Sequence, residues 1–281
     1  MSPVSIPLKG RRMIPAPTAW ARANRSRLLG AALLLGLAAL GWLVPLLSDA
    51  DPARQDLGRI LMPPSAGEPL GTDHLGRSML ARLAAAIRLS LGFAAVGVVS
   101  AAVPGVLLGV LAGWRGGWLD RAAGVLSDAF LALPGLLLVL LLAALAPGSA
   151  WALYVGISLV LWVEYFRVVR ATVRVAAASP QIEASRLLGF GPLYIFRRHL
   201  WPEIAPVVLT LASFGAASAI LAVAALGFVS VGLRPPAAEL GLMMTELLPY
   251  HEEAPWILFQ PIAVVFLLVL SLNLLSGSRP R

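Results

Sequence analysis

The feature that most limits what this chain can become is the length of its uncharged stretches. Leu28 to Leu47, Leu89 to Trp114, Ala129 to Val163, Ile204 to Leu233 and Ala254 to Ser278 contain no Asp, Glu, Lys or Arg. About 20 apolar residues in a helix cross the hydrocarbon of a bilayer, where a helix is one of the few ways to satisfy every backbone polar group. The third stretch is too long for one helix, and Pro147-Gly148-Ser149 divides it as a turn does. That gives spans near 122–145 and from Trp151 to Val163 or slightly beyond, and an expected total of six. Only 13% of the residues are charged, against about 25% in soluble domains. The expected class is an all-α polytopic membrane protein.

Charge sets the orientation. The net charge of +8 raises nucleic acid as a partner, but its distribution argues for a membrane instead. Lys9, Arg11, Arg12, Arg22, Arg25 and Arg27 lie in the first 27 residues with no acid, and Glu164 to Glu203 holds six arginines and three glutamates. Arg234 to Glu253 has one arginine and four glutamates. Basic loops stay in the cytoplasm, so both termini and the 164–203 island are expected inside. The organisation is then a basic tail (1–27, expected to be mostly disordered), a first span (28–47), an outer segment (48–88), a permeation core (89–275) containing a cytoplasmic loop (174–203), and a tail (276–281). A cleaved signal peptide fits poorly, because the basic region is too long and the apolar run spans a bilayer by itself. The chain has no cysteine, which excludes thiol catalysis, cysteine zinc sites and disulfides.

Within the outer segment, Gly71-Thr72-Asp73-His74-Leu75-Gly76-Arg77-Ser78 leads into the second span. Thr72 or Asp73 is a candidate N-cap. Gly71, Asp73, Gly76 and Arg77 are either the start of that helix or an external docking or gating element. Gly105, Gly109 and Gly113 repeat every four residues, which lets another helix approach closely in lipid. Pro134-Gly135 should kink the third span. Asp128 is read as the one acid well inside a span, bound to a structural partner such as Arg121 or lining a pathway. Arg167, Arg170 and Arg174 share a helix face and read as anchors whose heads snorkel to lipid headgroups. The other pathway candidates are Ala, Leu, Val and Gly, which discriminate poorly among solutes.

The most informative stretch is Gln181 to Pro202. Ser179-Pro180 ends the preceding helix, Gln181 to Leu188 restarts as a short one, and Gly189, Gly191 and Pro192 force a turn. Leu193 to Leu200 coils again, and Pro202 opens the fifth span. A hydrolase would need a nucleophile and base, but His74, His199 and His251 lie in loops with no triad or metal spacing. A phosphate-binding loop needs Gly-Lys-Ser/Thr, and the only lysine is Lys9. A secondary carrier or channel acting alone is the alternative, although it usually shows several intramembrane ionisable residues.

Glu183-Ala184-Ser185, Gly189 and Trp201-Pro202, in that order, resemble the cytoplasmic signature loop of ABC importer permeases. The similarity runs over residues 60–275. It includes the Gly71 to Arg77 motif, the Gly113 to Asp120 turn, Leu131-Ala132-Leu133-Pro134 and Glu253-Ala254-Pro255-Trp256. It is closest to the peptide and nickel branch, in the subunit with the longer outer segment. Ser185 stands where alanine is usual, Trp201 where leucine is common, and Ser78 where aspartate is frequent. The resemblance implies a type I permease fold of six helices in a bacterial inner membrane. It implies a homologous second permease, two ATP-binding subunits that carry ATP and magnesium, and an outer solute-binding protein. This chain would bind no cofactor and no metal. Glu183, Ala184, Ser185, Gly189, Gly191 and Pro202 would couple it to an ATPase.

Overall fold

Most of the helices are apolar all round, so small residues and shape must fix how they pack. The computed structural model describes residues 17–48 and 51–277, with side chains from Arg25 onward. Expectations for residues 1–16, Asp49 and the tail beyond Gly277 lie outside that range. The helices in order are α1 (Pro17–Leu47), α2 (Met79–Arg115), α3 (Gly117–Leu131), α4 (Gly135–Leu145) and α5 (Ala150–Ala177). They continue with α6 (Pro180–Leu187), α7 (Pro192–Ile195), α8 (Trp201–Phe228), α9 (Leu240–Leu247) and α10 (Pro255–Ser276).

Five helical stretches, Arg25–Leu47, Met79–Arg115, Ala150–Ala177, Pro192–Phe228 and Pro255–Ser276, are long and apolar enough to cross a membrane. Taking α3 and α4, bent by 78°, as one broken span brings the total to six. The break falls at Pro134, where the expected kink becomes an interruption, because proline cannot donate and restricts its predecessor.

Three boundaries differ from the sequence reading. α1 already begins at Pro17, so part of the expected disordered tail is helix. Arg22, Arg25 and Arg27 interrupt the apolar signal there without stopping the helix. α2 starts at Met79 with Ser78 at the N-cap position, so neither Thr72 nor Asp73 caps it. Finally, the second short helix and the fifth span form one continuous stretch from Pro192 to Phe228. A π-helical turn over Phe196–Leu200 joins them, with the Trp201 N–H reaching the Phe196 carbonyl. Pro202 explains it: its ring would strike the Arg198 carbonyl in a regular helix, and widening by one residue relieves the clash.

α2 and α5 form the central pair. A Cβ on Gly105 would lie 2.6 Å from Tyr165 Cβ, one on Gly109 2.9 Å from the Phe166 carbonyl oxygen, and one on Gly113 2.8 Å from the Arg170 carbonyl oxygen. The three glycines therefore face α5 of the same chain, and the close approach replaces the drive that water would supply. α4 lies on α5, where Gly156 meets Val139 and Gly135 meets Val160. α1 covers the opposite flank, with Gly30 against Ser271 and Leu274 of α10 and Gly41 against Ile87 of α2. The bundle has two ends, one carrying α6 and the other α9.

Candidate functional site: the α6 loop and the charged ends of the bundle

At the α6 end, Ile182 is fully buried among Val169, Val173, Ile195, Leu200 and Ile204. That anchor fixes which face of α6 looks outward. The helix ends at Gly189, whose φ of 81° is left-handed. Gly189 N–H donates to Arg186 C=O at 3.0 Å and Phe190 N–H to Ser185 C=O at 3.1 Å, the paired bonds of a Schellman stop. A residue with a Cβ is strained there. Gly191 has a φ of −70°, so no backbone demand for glycine exists at that position.

The signature residues separate by orientation. Glu183 and Ala184 are exposed, whereas Ser185 is buried and turned toward the bundle. Its hydroxyl lies 2.9 Å from Gln181 C=O and 2.9 Å from His199 Nε2. Ser185 thus fastens α6 to the π turn. The same contact gives His199 a structural role. Arg186 lies over the Trp114 ring at 4.5 Å, tying α6 to the end of α2. Trp201 is half-exposed, with its ring 6.0 Å from Phe196. Around Gly189, Leu187 is 84% and Leu188 75% exposed, and Phe190 and Leu193 are open as well. Glu183 makes no side-chain hydrogen bond or ion pair among the described residues.

The arginine face of α5 is partnered. Asp120 of α3, largely buried, accepts from both Arg170 and Arg174. Arg167 lies 4.0 Å from Asp128, and both side chains are mostly exposed. These arginines are therefore more than free anchors, and the arginine beside Asp128 is Arg167. Sequence reasoning missed Asp120, which it had placed only within a turn motif.

The α9 end is built differently. Asp73 and Arg82 are fully buried and Arg77 nearly so. Asp73 Oδ1 accepts from the Leu75 and Arg77 N–H groups at 2.8 and 2.9 Å, and Oδ2 accepts from Arg77 Nε at 2.6 Å and from Arg82. Glu246 at the end of α9 receives Arg77 at 3.0 Å and Arg82 at 2.6 Å. Burial pushes the Asp73 carboxyl up, but the two N–H groups and two guanidiniums outweigh it, leaving it below the usual carboxylate range. Gly71 and Gly76 hold φ values of 77° and 70°, and a Cβ on Gly76 would sit 1.8 Å from the Asp56 carbonyl oxygen. Asp73 and Arg77 are thus internal to the fold; as side chains they offer nothing to an external docking protein. The pairing with Glu246 escaped the sequence reading because the partners stand 164 and 169 residues apart.

His74 stacks on Tyr250 with ring centroids 5.2 Å apart. Burial pushes its imidazole below the ordinary range, with Asp73 opposing and Arg77 reinforcing that shift. Glu239 caps α9, accepting from the Gly241 and Leu242 N–H groups at 2.9 and 2.8 Å. Burial pushes its carboxyl up despite those bonds. Among the described residues no cluster of His, Cys, Asp and Glu could hold a metal ion.

Residues 105–277 match the family of binding-protein-dependent transport system inner membrane components. The chain is 32% identical to the dipeptide transport system permease protein DppC of Haemophilus influenzae, covering 90% of this chain and 88% of that one. It is 36% identical to the di/tripeptide transport system permease protein DppC of Pseudomonas aeruginosa, with 90% and 86% covered. It is 33% identical to the nickel transport system permease protein NikC of Escherichia coli K12, with 87% and 88% covered. An all-helical bundle with a short helix held out at one end agrees with that match, and the chain belongs to this family, as a multi-pass permease of ABC importers whose ATP hydrolysis resides on separate subunits.

Proposed function

We propose that the chain forms half of the pathway of an importer for small peptides or a related small solute, and that α6 is the coupling helix seated on an ATP-binding subunit. The observation that carries this reading is the outward face of α6. Glu183, Leu187 and Leu188 project from a helix whose other face is anchored by Ile182 and Ser185. Exposed apolar side chains beside an unpaired acid on a rigid mount suit a protein partner. A second permease, two ATPases and an outer solute-binding protein complete the assembly. The basic α6 end then faces the cytoplasm, with both termini, and the acidic α9 end faces outward. The peptide cargo follows the names of the relatives, two of which are peptide permeases.

The test is uptake by the complete importer in proteoliposomes. Gly189→Ala carries only the left-handed strain, about 1–2 kcal/mol, and should retain uptake. Gly189→Arg and Glu183→Lys should abolish it while the complex still assembles in the membrane. Normal uptake by Gly189→Arg would remove α6 from the coupling role. Single cysteines placed at Leu187 and Glu252 in this cysteine-free chain should label from inside and outside respectively, and the reverse pattern would invert the topology.

A further inference from the structure

The flank left uncovered by α1 contains a groove of 450 Å³ between α4, α5 and α8, lined by Gly135, Val139, Ile157, Glu164, Ser218 and Ala222 among others. Its wall is apolar, branched aliphatic side chains mixed with Gly and Ala, apart from Ser218 and one charged group, the carboxylate of Glu164. Glu164 is exposed to this groove and has no hydrogen bond or ion pair among the described side chains. The nearby arginines of α5 are engaged elsewhere, Arg167 beside Asp128 and Arg170 on Asp120.

Depth makes this unusual. At about 1.5 Å per residue, Glu164 lies about 21 Å from Ala150 at one end of α5 and about 9 Å from Arg170 toward the other. Arg167, one turn further on, is mostly exposed, so Glu164 lies at the inner end of the apolar stretch that closes at Val163, where an unpaired ionisable residue is still costly and is a functional candidate by default. Asp128 does not compete for the role, since it has an arginine beside it.

We propose that Glu164 is a contact point for the positively charged nitrogen of the transported solute, so that the cargo class is a small solute bearing an ammonium group. The proposal rests on the importer reading above. A single carboxylate in an otherwise apolar groove suits one ammonium, which it meets through charge-assisted hydrogen bonds. A bare divalent metal would need several oxygen, nitrogen or sulfur ligands, and the groove supplies none beyond Glu164 and Ser218. The flank is open in the single chain, and on this proposal it faces the pathway shared with the second permease.

The complete importer in proteoliposomes, given radiolabelled dialanine or its N-acetylated form as probe, tests the assignment. Glu164→Gln should lower kcat/KM for dialanine uptake about tenfold, equivalent to about 1.4 kcal/mol. Wild type should move N-acetyl-dialanine about tenfold less well than dialanine, Glu164→Gln should leave that residual rate unchanged, and Glu164→Asp should restore much of the dialanine rate. Equal losses for both probes would overturn the proposal by showing that Glu164 pairs with the second permease. No loss for dialanine would overturn it too. Wild-type ATP turnover that is stimulated by the binding protein without movement of dialanine would deny an ammonium cargo while leaving the importer reading intact.

Discussion

The two ends of the bundle handle charge in opposite ways. At the α9 end, Asp73, Arg77, Arg82 and Glu246 sum to zero charge, and none of their side chains is more than 14% exposed. At the α6 end, Glu183 stands without a partner beside leucines that are 84% and 75% exposed. A buried ion network contributes little net stability, because desolvation cancels much of the attraction. What it does is fix geometry, here the seating of the outer segment on α9. An open acidic and apolar face has no such internal purpose, and its exposure is relieved only when another molecule covers it. The closed end therefore reads as scaffold and the open end as interface, even though the closed end holds the stronger interactions.

The largest expected effect separates these roles by stability. Arg82→Met strips a cation from Asp73 and Glu246 and leaves buried negative charge, a loss of about 3–5 kcal/mol. Glu183→Ala removes only an exposed side chain and should change stability by less than about 0.5 kcal/mol, yet it should impair uptake. Thermal unfolding in detergent, set beside uptake in proteoliposomes, reads both quantities. Equal stability losses for the two variants would erase the distinction between the ends.

The same contrast explains what could be read in advance. Span number and the break at Pro134 were legible because apolar length and proline are local signals. The facing of Gly105, Gly109 and Gly113 needed only periodicity. The Asp73 network and the Asp120 clasp were not legible, because each joins groups from distant segments whose individual charges look like ordinary loop residues. Glu164 was read as the first residue of a charged island; the structure shows it midway along one continuous helix that runs on to Ala177. At α6 the sequence showed the turn but not the rotation of the helix. Ile182 decides that rotation, and through it Ser185 turns inward.

Acid should act on the closed end in two directions. His74 has a lowered folded pKa, so its contribution is complete above the ordinary value of 6.5 and is lost as pH falls below it. Glu239 has a raised folded pKa, so its contribution is present below the ordinary 4.5 and lost as pH rises through the folded value. His74→Asn should flatten the fall in thermal stability between neutral pH and about pH 5, and Glu239→Gln should remove the opposing rise on acidification. Unchanged pH profiles in both variants would mean that neither group is held in a shifted state. Glu183→Ala, at the open end, should leave the profile as in the wild type.

The smallest effect concerns the side-chain hydrogen bond that joins α6 to the π turn. Ser185 and His199 meet at 2.9 Å across the α6 turn, and a hydrogen bond of this kind contributes about 1 kcal/mol net. Ser185→Ala should lower stability by about that amount, and His199→Ala by a similar amount. If the two act through their mutual contact, the double variant should lose less than the sum of the single losses. Uptake provides the sharper readout. A loosened α6 still presents Glu183 and Leu187, so ATP turnover should persist while each turnover moves less solute. Additive losses in the double variant, with uptake per ATP unchanged, would show that α6 is held by Ile182 and the Arg186–Trp114 contact and that the hydroxyl at Ser185 is incidental to coupling.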